Sequence, residues 1–446
     1  MMAINRRQFL IGAGGLAAAA TTMGLAGCAP GSQGGGSQGG GGEGGTTNLA
    51  LAWWGNPTRN KNTEAEIAAF TAANPNVKIS GQPGDFASYW DKLATQTAGG
   101  TAPDIIQMDM AYISEYGTRG ALLDLKDVDV SKFAEGTVDS GKINDKLVGV
   151  NAGINSAVIM GNPKIFEKAK MDLPDDKTWT WDQLAEVAAE VASKAGVPYG
   201  MAGLLGSDNG FALVLRQNGK ELFTPDGVGF DVADAQAWYD LMVKFQKAGA
   251  LGTPEQISEE GSGPSAKPLD QSAIVVGKAA LSASNSNQLE AISAAAKSVT
   301  GGELMGMLRF PSLTGKATER KAWYKASMLW SASAKTKNPE AAVAWINWFV
   351  NDPAAADIDK AERGIPPNSE ILAEVTPKLS AAQQVVAKYI TDIKSEVADT
   401  PIAPLPGGGT LGEVLFRNGI DVLFGKTSTA EAAQKFVDEV KSNLQV

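Results

Sequence analysis

The main body of the chain opens with apolar runs of strand length that alternate with segments of helical periodicity. Strands are predicted at residues 49–53, 77–80 and 104–108, and helices at residues 86–98 and from a Thr63-x-x-Glu66 capping box. Strands that alternate with helices usually pair in parallel, because each helix carries the chain back along the sheet. The sequence therefore predicts an α/β fold.

The same alternation continues less regularly to the end of the chain. Further strands are predicted at residues 147–160, 199–204, 279–283, 304–310 and 323–333. Further helices are predicted from the capping box Thr180-x-x-Gln183 to residue 196, at residues 210–218, 232–248 and 338–349, and from the capping box Ser428-x-x-Glu431. No run after the first 27 residues is apolar enough to predict a membrane span.

The first 27 residues are predicted to be an export signal. Two arginines begin it, an apolar stretch rich in Ala and Gly follows, and small residues precede Cys28. The sequence Leu25-Ala26-Gly27-Cys28 resembles a lipobox, which directs lipidation of the cysteine and cleavage before it. Cys28 is therefore predicted to carry a lipid that anchors the exported protein to the outer face of the cell membrane.

Two further features belong to this N-terminal region. The sequence Asn5-Arg6-Arg7-Gln8-Phe9-Leu10 resembles a twin-arginine signal, although Asn5 stands where Ser or Thr is usual. Residues 28–45 are mostly Gly, Ser and Gln, and such a segment buries too little apolar surface to order itself. This segment is predicted to be a flexible leash between the lipid and the folded body.

Charge and composition exclude several classes of function. The formal net charge is −10, and an acidic surface repels the phosphates of nucleic acid. The chain has no histidine, which excludes a Ser-His-Asp triad and any His-ligated metal site. A single cysteine excludes an internal disulfide. We therefore expect no nucleic-acid partner, no metal and no cofactor.

Seven motifs follow one another along the main body. They are Trp53-Trp54-Gly55, Thr101-Ala102-Pro103-Asp104-Ile105-Ile106-Gln107-Met108-Asp109, Gly120-Ala121-Leu122-Leu123-Asp124-Leu125, Thr180-Trp181-Asp182-Gln183-Leu184, Gly277-Lys278-Ala279-Ala280-Leu281, Asn338-Pro339-Glu340-Ala341-Ala342 and Arg363-Gly364-Ile365-Pro366-Pro367-Asn368. In this order they resemble the family 1 extracellular solute-binding proteins of carbohydrate ABC importers, the maltose-binding-protein-like family. The resemblance covers residues 46–446.

The resemblance implies a periplasmic-binding-protein-like fold, in which two α/β lobes are joined by a hinge and separated by a central ligand cleft. Lobe one would comprise residues 46–152 and 312–355, and lobe two residues 155–310 and 360–446. Glycines near residues 149–155 would then lie at a crossing, where they absorb backbone rotation or form a β-bulge. The implied function is capture of a mono- or oligosaccharide by a monomer that delivers it to an ABC permease.

Ligands of open α/β sheets bind beyond the carboxyl ends of the strands. Aromatic rings pack against the C–H faces of a sugar, while Asp, Asn and Arg hydrogen-bond its hydroxyls. Residues after the predicted strands, together with the arginine of the last motif, form the expected ligand-binding set: Trp54, Asn56, Asp109, Tyr112, Asp208, Asn209, Asn285, Trp323, Tyr324 and Arg363. The alternative is helix capping for Asp208 and Asn285, and core packing for one tryptophan of the Trp53-Trp54 pair.

A surface-anchored glycoside hydrolase is the alternative function. Paired carboxylates hydrolyse glycosidic bonds without histidine, and Asp109 and Asp208 are the available pair. Nothing in the sequence marks either carboxyl as a buried, proton-loaded acid, so we expect no catalytic residue. Oligopeptide, phosphate and metal are the alternative cargoes, of which metal is disfavoured by the absence of histidine.

Overall fold

The computed structural model describes residues 45–134, 136–262 and 267–444. The predicted export signal, Cys28 and the leash up to residue 44 lie outside the described residues. Within the three described ranges, no helix combines the length and the apolarity that crossing a bilayer requires.

The described residues form short strands and helices in alternation. The strands are β1 (Thr47–Trp54), β2 (Val77–Gly84), β3 (Ile105–Met108), β4 (Lys142–Ile143), β5 (Lys146–Leu147), β6 (Val150–Asn151), β7 (Ile154–Asn155), β8 (Ala157–Gly161), β9 (Tyr199–Ala202), β10 (Phe223–Thr224), β11 (Gly227–Val228), β12 (Ala279–Asn285), β13 (Gly306–Leu308), β14 (Lys325–Ala326) and β15 (Leu329–Ala332). The helices are α1 (Pro57–Ala73), α2 (Phe86–Ala98), α3 (Met110–Thr118), α4 (Pro163–Ala169), α5 (Trp181–Ala195), α6 (Asp208–Gln217), α7 (Val232–Ala248), α8 (Pro254–Glu260), α9 (Leu289–Ala295), α10 (Lys297–Thr300), α11 (Pro339–Asn351), α12 (Pro353–Asp359), α13 (Ser369–Val375), α14 (Ala381–Asp392), α15 (Leu411–Leu423) and α16 (Thr429–Asn443).

The first sheet has the strand order β2-β1-β3-β15-β6. β1 runs parallel to β2 and β3, whereas β15 returns antiparallel beside β3. The whole of β3 and the last four residues of β1 are buried, since helices α2 and α11 pack against this part of the sheet. The parallel pairing places the carboxyl ends of β1 and β3 at one edge, where Trp54 and Asp109 lie.

The second sheet has the strand order β13-β8-β12-β9. β12 runs parallel to β9 and antiparallel to β8. The carboxyl ends of β9 and β12 therefore also share one edge. The residues that follow them are the loop before α6 and the 3₁₀ turn Ser286–Gln288.

Two separate apolar cores confirm the prediction of two α/β lobes. The first core takes residues from 49–152 and 326–350, and at its centre Trp330 and Trp345 pack edge to face with ring centroids 4.6 Å apart. The second core takes residues from 154–323 and 356–440, where Phe211 packs against Trp238 and Phe436 with centroids 5.8 Å away in both cases. Each lobe thus buries its own sheet.

Three crossings of the chain between the lobes meet around Gly153. Ile154 exchanges two backbone hydrogen bonds with Ile365, at 2.7 and 3.0 Å, and the amide of Ser327 donates to the carbonyl of Gly153 over 2.8 Å. A Cβ on Gly153 would lie 2.2 Å from the carbonyl oxygen of Arg363. The close approach of three backbones therefore requires glycine at position 153.

The expected lobe boundaries need two corrections. Residues 312–323 pack with the second lobe, because Gln217 donates to the carbonyls of Pro311 and Arg320, at 2.9 and 3.0 Å. Residues 353–365 contact both lobes: α12 packs on α1 of the first, whereas Ala356 and Ala361 join the second core. Residues 353–365 therefore belong to neither lobe alone.

The capping box predicted at Thr63 is wrong, because the cap of α1 lies seven residues earlier, at Asn56. Asn56 caps this helix by accepting a hydrogen bond from the amide of Arg59 over 2.9 Å. Thr63 and Glu66 lie inside the helix and are buried. The other two boxes, at Thr180 and Ser428, do begin α5 and α16.

Candidate functional site

Aromatic side chains cluster at the carboxyl edge of the first sheet. The ring centroid of Trp54 lies 5.5 Å from that of Phe86 and 5.2 Å from that of Trp90. Trp90 in turn stacks on Tyr112, with centroids 4.0 Å apart. Trp54 and Trp90 are buried, whereas Phe86 and Tyr112 are half-buried. These four residues are called the aromatic cluster below, and Phe86 and Tyr112 form its accessible part.

Asp109 and Tyr112 lie at the first turn of α3, beside the aromatic cluster. Asp109 caps the helix by accepting a hydrogen bond from the amide of Ala111 over 2.9 Å. Burial, and then the negative charges of Asp109 and Glu413, raise the pKa of Tyr112 to about 12. The phenol therefore keeps its proton at neutral pH and can both donate and accept a hydrogen bond.

The second lobe touches the aromatic cluster through the 3₁₀ turn Gly408–Thr410. A Cβ on Gly409 would lie 2.9 Å from the carbonyl oxygen of Ala111 and 3.3 Å from Cε1 of Tyr112. Nearby, Ala403 packs against the first core. The segment 403–409 of the second lobe therefore borders the space between the lobes on the side of Tyr112.

Polar side chains lie at the carboxyl edge of the second sheet. Asn209 donates from Nδ2 to Oδ1 of Asn285 over 3.5 Å, and Asn155 donates to Oδ1 of Asn287 over 3.0 Å. Asp208 is exposed, and its Cβ lies 4.0 Å from the position that a Cβ on Gly412 would take. The set of Asp208, Asn209, Asn285 and Asn287 is called the polar edge below. Asp208 of the polar edge and Tyr112 of the aromatic cluster therefore both border the segment 409–412.

Helix capping was the alternative role expected for Asp208 and Asn285, and the structure shows it for Asn285 only. Ser207 caps α6 by accepting a hydrogen bond from the amide of Gly210 over 3.0 Å, so the capping alternative for Asp208 is wrong. Asn285 does form a capping box with Gln288 at the 3₁₀ turn after β12. Its Oδ1 also accepts the hydrogen bond from Asn209.

Arg363 does not face the cleft, and its expected role in ligand binding is wrong. Its side chain is completely buried and donates to Asp359 over 2.9 Å and to the hydroxyl of Thr63 over 2.6 Å. Nε also donates to Oε1 of Gln107 over 3.1 Å. The guanidinium is therefore used entirely inside the protein, by Asp359 one helical turn away and by Thr63 and Gln107 in a distant part of the sequence.

The expected ligand-binding roles of Asn56 and Trp323 are wrong as well, and the hydroxyl of Tyr324 already has a partner within the protein. Asn56 uses its oxygen to cap α1 and its Nδ2 to donate to Glu362 over 3.1 Å. Trp323 is buried in the second core beneath the guanidinium of Arg216, 5.1 Å from its ring centroid. The hydroxyl of Tyr324 donates to the carbonyl of Ile390 over 2.7 Å. Each of these polar or aromatic groups already has a partner within the protein.

A buried network of charges lies beneath Trp54. Two guanidiniums, those of Arg59 and Arg363, face the three carboxyls of Glu66, Asp359 and Glu362. Burial raises the pKa of Glu66 to about 8, which leaves this carboxyl protonated at neutral pH and balances the network.

The network also fixes the end of β1. Both Arg59 and Gln107 donate to the carbonyl oxygen of Trp54, at 3.3 and 3.0 Å. Glu66, whose pKa is raised by burial, is completely enclosed by protein and cannot touch a bound ligand. The network therefore orients the aromatic cluster and does not supply a general acid.

Several residues of the aromatic cluster and the polar edge, or in contact with them, are absent from the set expected from the sequence. They are Phe86, Trp90, Asn155, Asn287 and Gly409. Asn287 follows β12 two residues after Asn285, so the rule that selected Asn285 could also have selected it. The others lie on helices, at crossings or in the turn before α15. The rule of selecting residues that follow a predicted strand could not have found them.

Residues 54–356 match the family model of the bacterial extracellular solute-binding protein. The chain belongs to this family. The family resemblance seen in the sequence is therefore confirmed, and the periplasmic-binding-protein-like fold is confirmed by solved structures. A periplasmic oligogalacturonide binding protein from Yersinia enterocolitica, in complex with saturated digalacturonic acid, has a TM-score of 0.76 at 17% identity, over 89% of this chain and 98% of that one.

Two curated relatives add to this picture. The chain is 22% identical over 371 residues to the maltodextrin-binding protein MdxE of Bacillus subtilis, covering 80% of this chain and 81% of the relative. It is 26% identical over 192 residues to an uncharacterized lipoprotein of Streptomyces antibioticus, covering 42% of this chain. That alignment spans 40% of the lipoprotein, less than half its length.

Proposed function

We propose that this family member captures a sugar or oligosaccharide between its lobes as the substrate-binding component of an ABC importer. The observation that carries the proposal is the pairing of an aromatic cluster on one lobe with a polar edge on the other. Aromatic rings suit the C–H faces of a sugar, and amides and carboxylates suit its hydroxyls. The names of a maltodextrin-binding relative and an oligogalacturonide-binding neighbour support the same class of ligand.

Within this proposal, Tyr112 packs on a face of a sugar ring and its hydroxyl contacts the ring substituents. Asn209, Asn285 and Asp208 hydrogen-bond hydroxyls from the opposite side, and Asp109 contributes from the first turn of α3. Rotation at the crossings around Gly153 brings the lobes together and removes water from the bound sugar. Capture without chemistry is the expected outcome, and Glu66, whose pKa is raised by burial, is enclosed by protein and does not serve as an acid for a bound sugar.

We further propose that a lipid on Cys28 holds the protein at the outer face of the cell membrane. The lipobox, the preceding apolar stretch and the Gly/Ser-rich leash support this proposal. The leash would allow the body to reach and leave its permease. Replacing Cys28 by Ser should move the protein from the membrane fraction to the soluble exported fraction, and an unchanged distribution would contradict the anchor.

A thermal-shift panel of mono- and oligosaccharides tests the proposed function, using the full chain with Cys28→Ser so that no detergent is needed. At least one sugar should raise the melting temperature, and chromatography should recover it unchanged. Products of hydrolysis would favour the glycoside hydrolase instead, and the absence of any shift would contradict sugar binding.

Matched variants locate the site within this assay. Tyr112→Ala should weaken sugar binding by roughly 10-fold, because it removes the accessible ring of the aromatic cluster. Tyr324→Phe is the control, since the Tyr324 hydroxyl is bonded to a carbonyl in the second core and should not contribute. Equal effects of the two substitutions would contradict the location of the site.

A further inference from the structure

Three exposed lysines lie at one edge of the first sheet. β1, β2 and β3 run parallel, so their first residues share this edge, and Lys78 of β2 lies opposite Asn48 of β1. β15 runs antiparallel beside β3, and the residues that follow it therefore return to the same edge. They include Lys335 and Lys337, which are both exposed. Lys78, Lys335 and Lys337 are called the lysine edge below.

Hydrogen bonds fix the returning segment against the amino ends of β1 and β3. Nδ2 of Asn338 donates to the carbonyl of Asn48 over 3.1 Å, and the hydroxyl of Thr336 donates to Oδ1 of Asp104 over 2.5 Å. The other carboxylate oxygen of Asp104 accepts from the amide of Ala50 over 2.8 Å. Asp104 is therefore used to hold these segments together, and the backbone that carries the lysine edge is fixed in place.

The exposed charge of this region is opposite in sign to that of the chain as a whole. Four stretches form the region: residues 45–48, 73–78, 98–104 and 333–340. Besides the three lysines, their charged residues are Asp104 and Glu340, of which only Glu340 is exposed. Within the part of the chain that the structure describes, no ion pair involves any of the three lysines. The region therefore presents positive charge, although the formal net charge of the chain is −10.

The opposite edge of the same sheet carries negative charge. Helices α1, α2 and α3 begin there, and their N-caps are Asn56, Asp85 and Asp109. The negative charges of Asp109 and Glu413 also act on Tyr112 of the aromatic cluster. An anionic surface thus attracts one end of the first lobe and repels the end that bears the aromatic cluster.

The chain enters the folded body beside the lysine edge. Thr47 is the first residue of β1, and its amide donates to the carbonyl of Asn76, two residues before Lys78, over 2.8 Å. The predicted leash separates Thr47 from Cys28, the predicted site of the lipid. A Gly/Ser-rich chain of about 20 residues has an end-to-end distance of roughly 25 Å. Such a tether holds the lysine edge near the membrane at an effective concentration on the order of millimolar.

We propose that the lysine edge binds the anionic lipid head groups of the membrane that holds the lipid on Cys28, with the carboxyl edge of the first sheet turned away from the bilayer. The proposal rests on the proposed lipid anchor. The negative charge of the rest of the body does not prevent this contact, because salt screens exposed charges beyond about 8 Å. Each lysine at an anionic surface strengthens the contact about fivefold, so that three lysines strengthen it about 100-fold. The tether makes this modest gain sufficient, since it removes the cost of bringing the body to the membrane.

Amine acylation of the lipidated protein, purified from membranes and reconstituted on vesicles, tests this contact. The vesicles contain phosphatidylcholine alone or an equal mixture of phosphatidylcholine and phosphatidylglycerol, and mass spectrometry follows each lysine. The lysine edge should react at least about twofold more slowly on the anionic vesicles, and high salt should remove the difference. Lys297 and Lys435, exposed in the second lobe, are internal controls whose rates should not change. Equal rates on both vesicles, or equal slowing of every exposed lysine, would overturn the proposal.

Substitution of the lysines tests the same contact by a second readout. The test variant is Lys78→Gln/Lys335→Gln/Lys337→Gln. The matched control, which loses the same charge from exposed positions of the second lobe, is Lys297→Gln/Lys394→Gln/Lys435→Gln. Energy transfer from the tryptophans to a dansyl-labelled lipid in anionic vesicles measures how close the body lies to the bilayer. Transfer should fall in the test variant to the level seen on neutral vesicles and stay unchanged in the control, and equal transfer in the wild type and the test variant would overturn the docking.

Two companion measurements keep failure of this docking distinct from failure of the proposed function. The test variant should remain in the membrane fraction, because its lipid is intact. It should also bind sugar as tightly as the wild type, because the lysine edge and the aromatic cluster lie at opposite ends of the first lobe. A wild-type chain without a lipid would contradict the anchor and the docking together, whereas loss of sugar binding in the test variant alone would overturn the placement of the lysine edge away from the sugar site.

Discussion

Gly409 offers a direct test of the contact between the lobes. Replacing it by Ala places a Cβ 2.9 Å from the carbonyl oxygen of Ala111 and 3.3 Å from Tyr112. The first distance is shorter than van der Waals contact allows, so the two lobes must separate slightly. The φ angle of Gly409 is not in the left-handed region, and the substitution therefore adds no backbone strain within its own lobe.

The size of the effect follows from overpacking. Crowding of this kind typically costs about 1–3 kcal/mol, and here it falls on the arrangement in which the lobes touch. If that arrangement is the ligand-bound one, the sugar dissociation constant should rise by about 5- to 150-fold. Gly409→Val, which adds two more methyl groups, should weaken binding further.

Calorimetric titration with the bound sugar measures this effect, and thermal unfolding without sugar is the companion measurement. The unfolding temperature should hardly change, because the lobes can separate without exposing either core. Gly45→Ala is the control, since a Cβ there meets nothing within 4 Å. Unchanged affinity in Gly409→Ala would refute the reasoning that this contact belongs to the bound state.

Two further predictions concern the buried network. Arg363→Met should lower the free energy of unfolding by about 3–5 kcal/mol, because it leaves buried carboxyls without their counter-charge. Arg417→Met, at an exposed ion pair, is the control and should change the free energy little. Urea unfolding measures both variants, and a small effect of Arg363→Met would contradict the network. Because the pKa of Glu66 is raised from 4.5 to about 8, the folded state holds a proton that the unfolded state releases, so stability should fall as pH rises from about 5 to 8. Glu66→Gln should remove that part of the slope in unfolding measured across this range, and an unaltered slope would argue against the raised pKa.

Local patterns predicted much of the fold. The periodicity of residues 86–98 and 232–248 gave the bounds of α2 and α7, because apolar spacing and the terminal glycines act within one helix. The box at Thr63 failed for a physical reason: Asn56 and Pro57 supply a stronger start about two turns earlier. A capping motif only predicts a helix start where no better cap precedes it.

The site was less predictable, because its members are brought together over long sequence distances. Arg363 looked available in its own motif, yet its partners Thr63 and Gln107 lie in another part of the chain. The hydrogen bond from Asn155 to Asn287 likewise joins residues that only the folded chain brings together. Position after a strand correctly led to the edges of both sheets, but it could not tell which polar atoms are already bonded.

The most direct test of the account is a crystal structure of the full chain with a bound sugar. We predict one sugar ring against Tyr112 and hydroxyls within hydrogen-bond distance of Asn209 and Asn285. A sugar bound outside the interlobe space, or bound within it without contact to the aromatic cluster and the polar edge, would contradict the account.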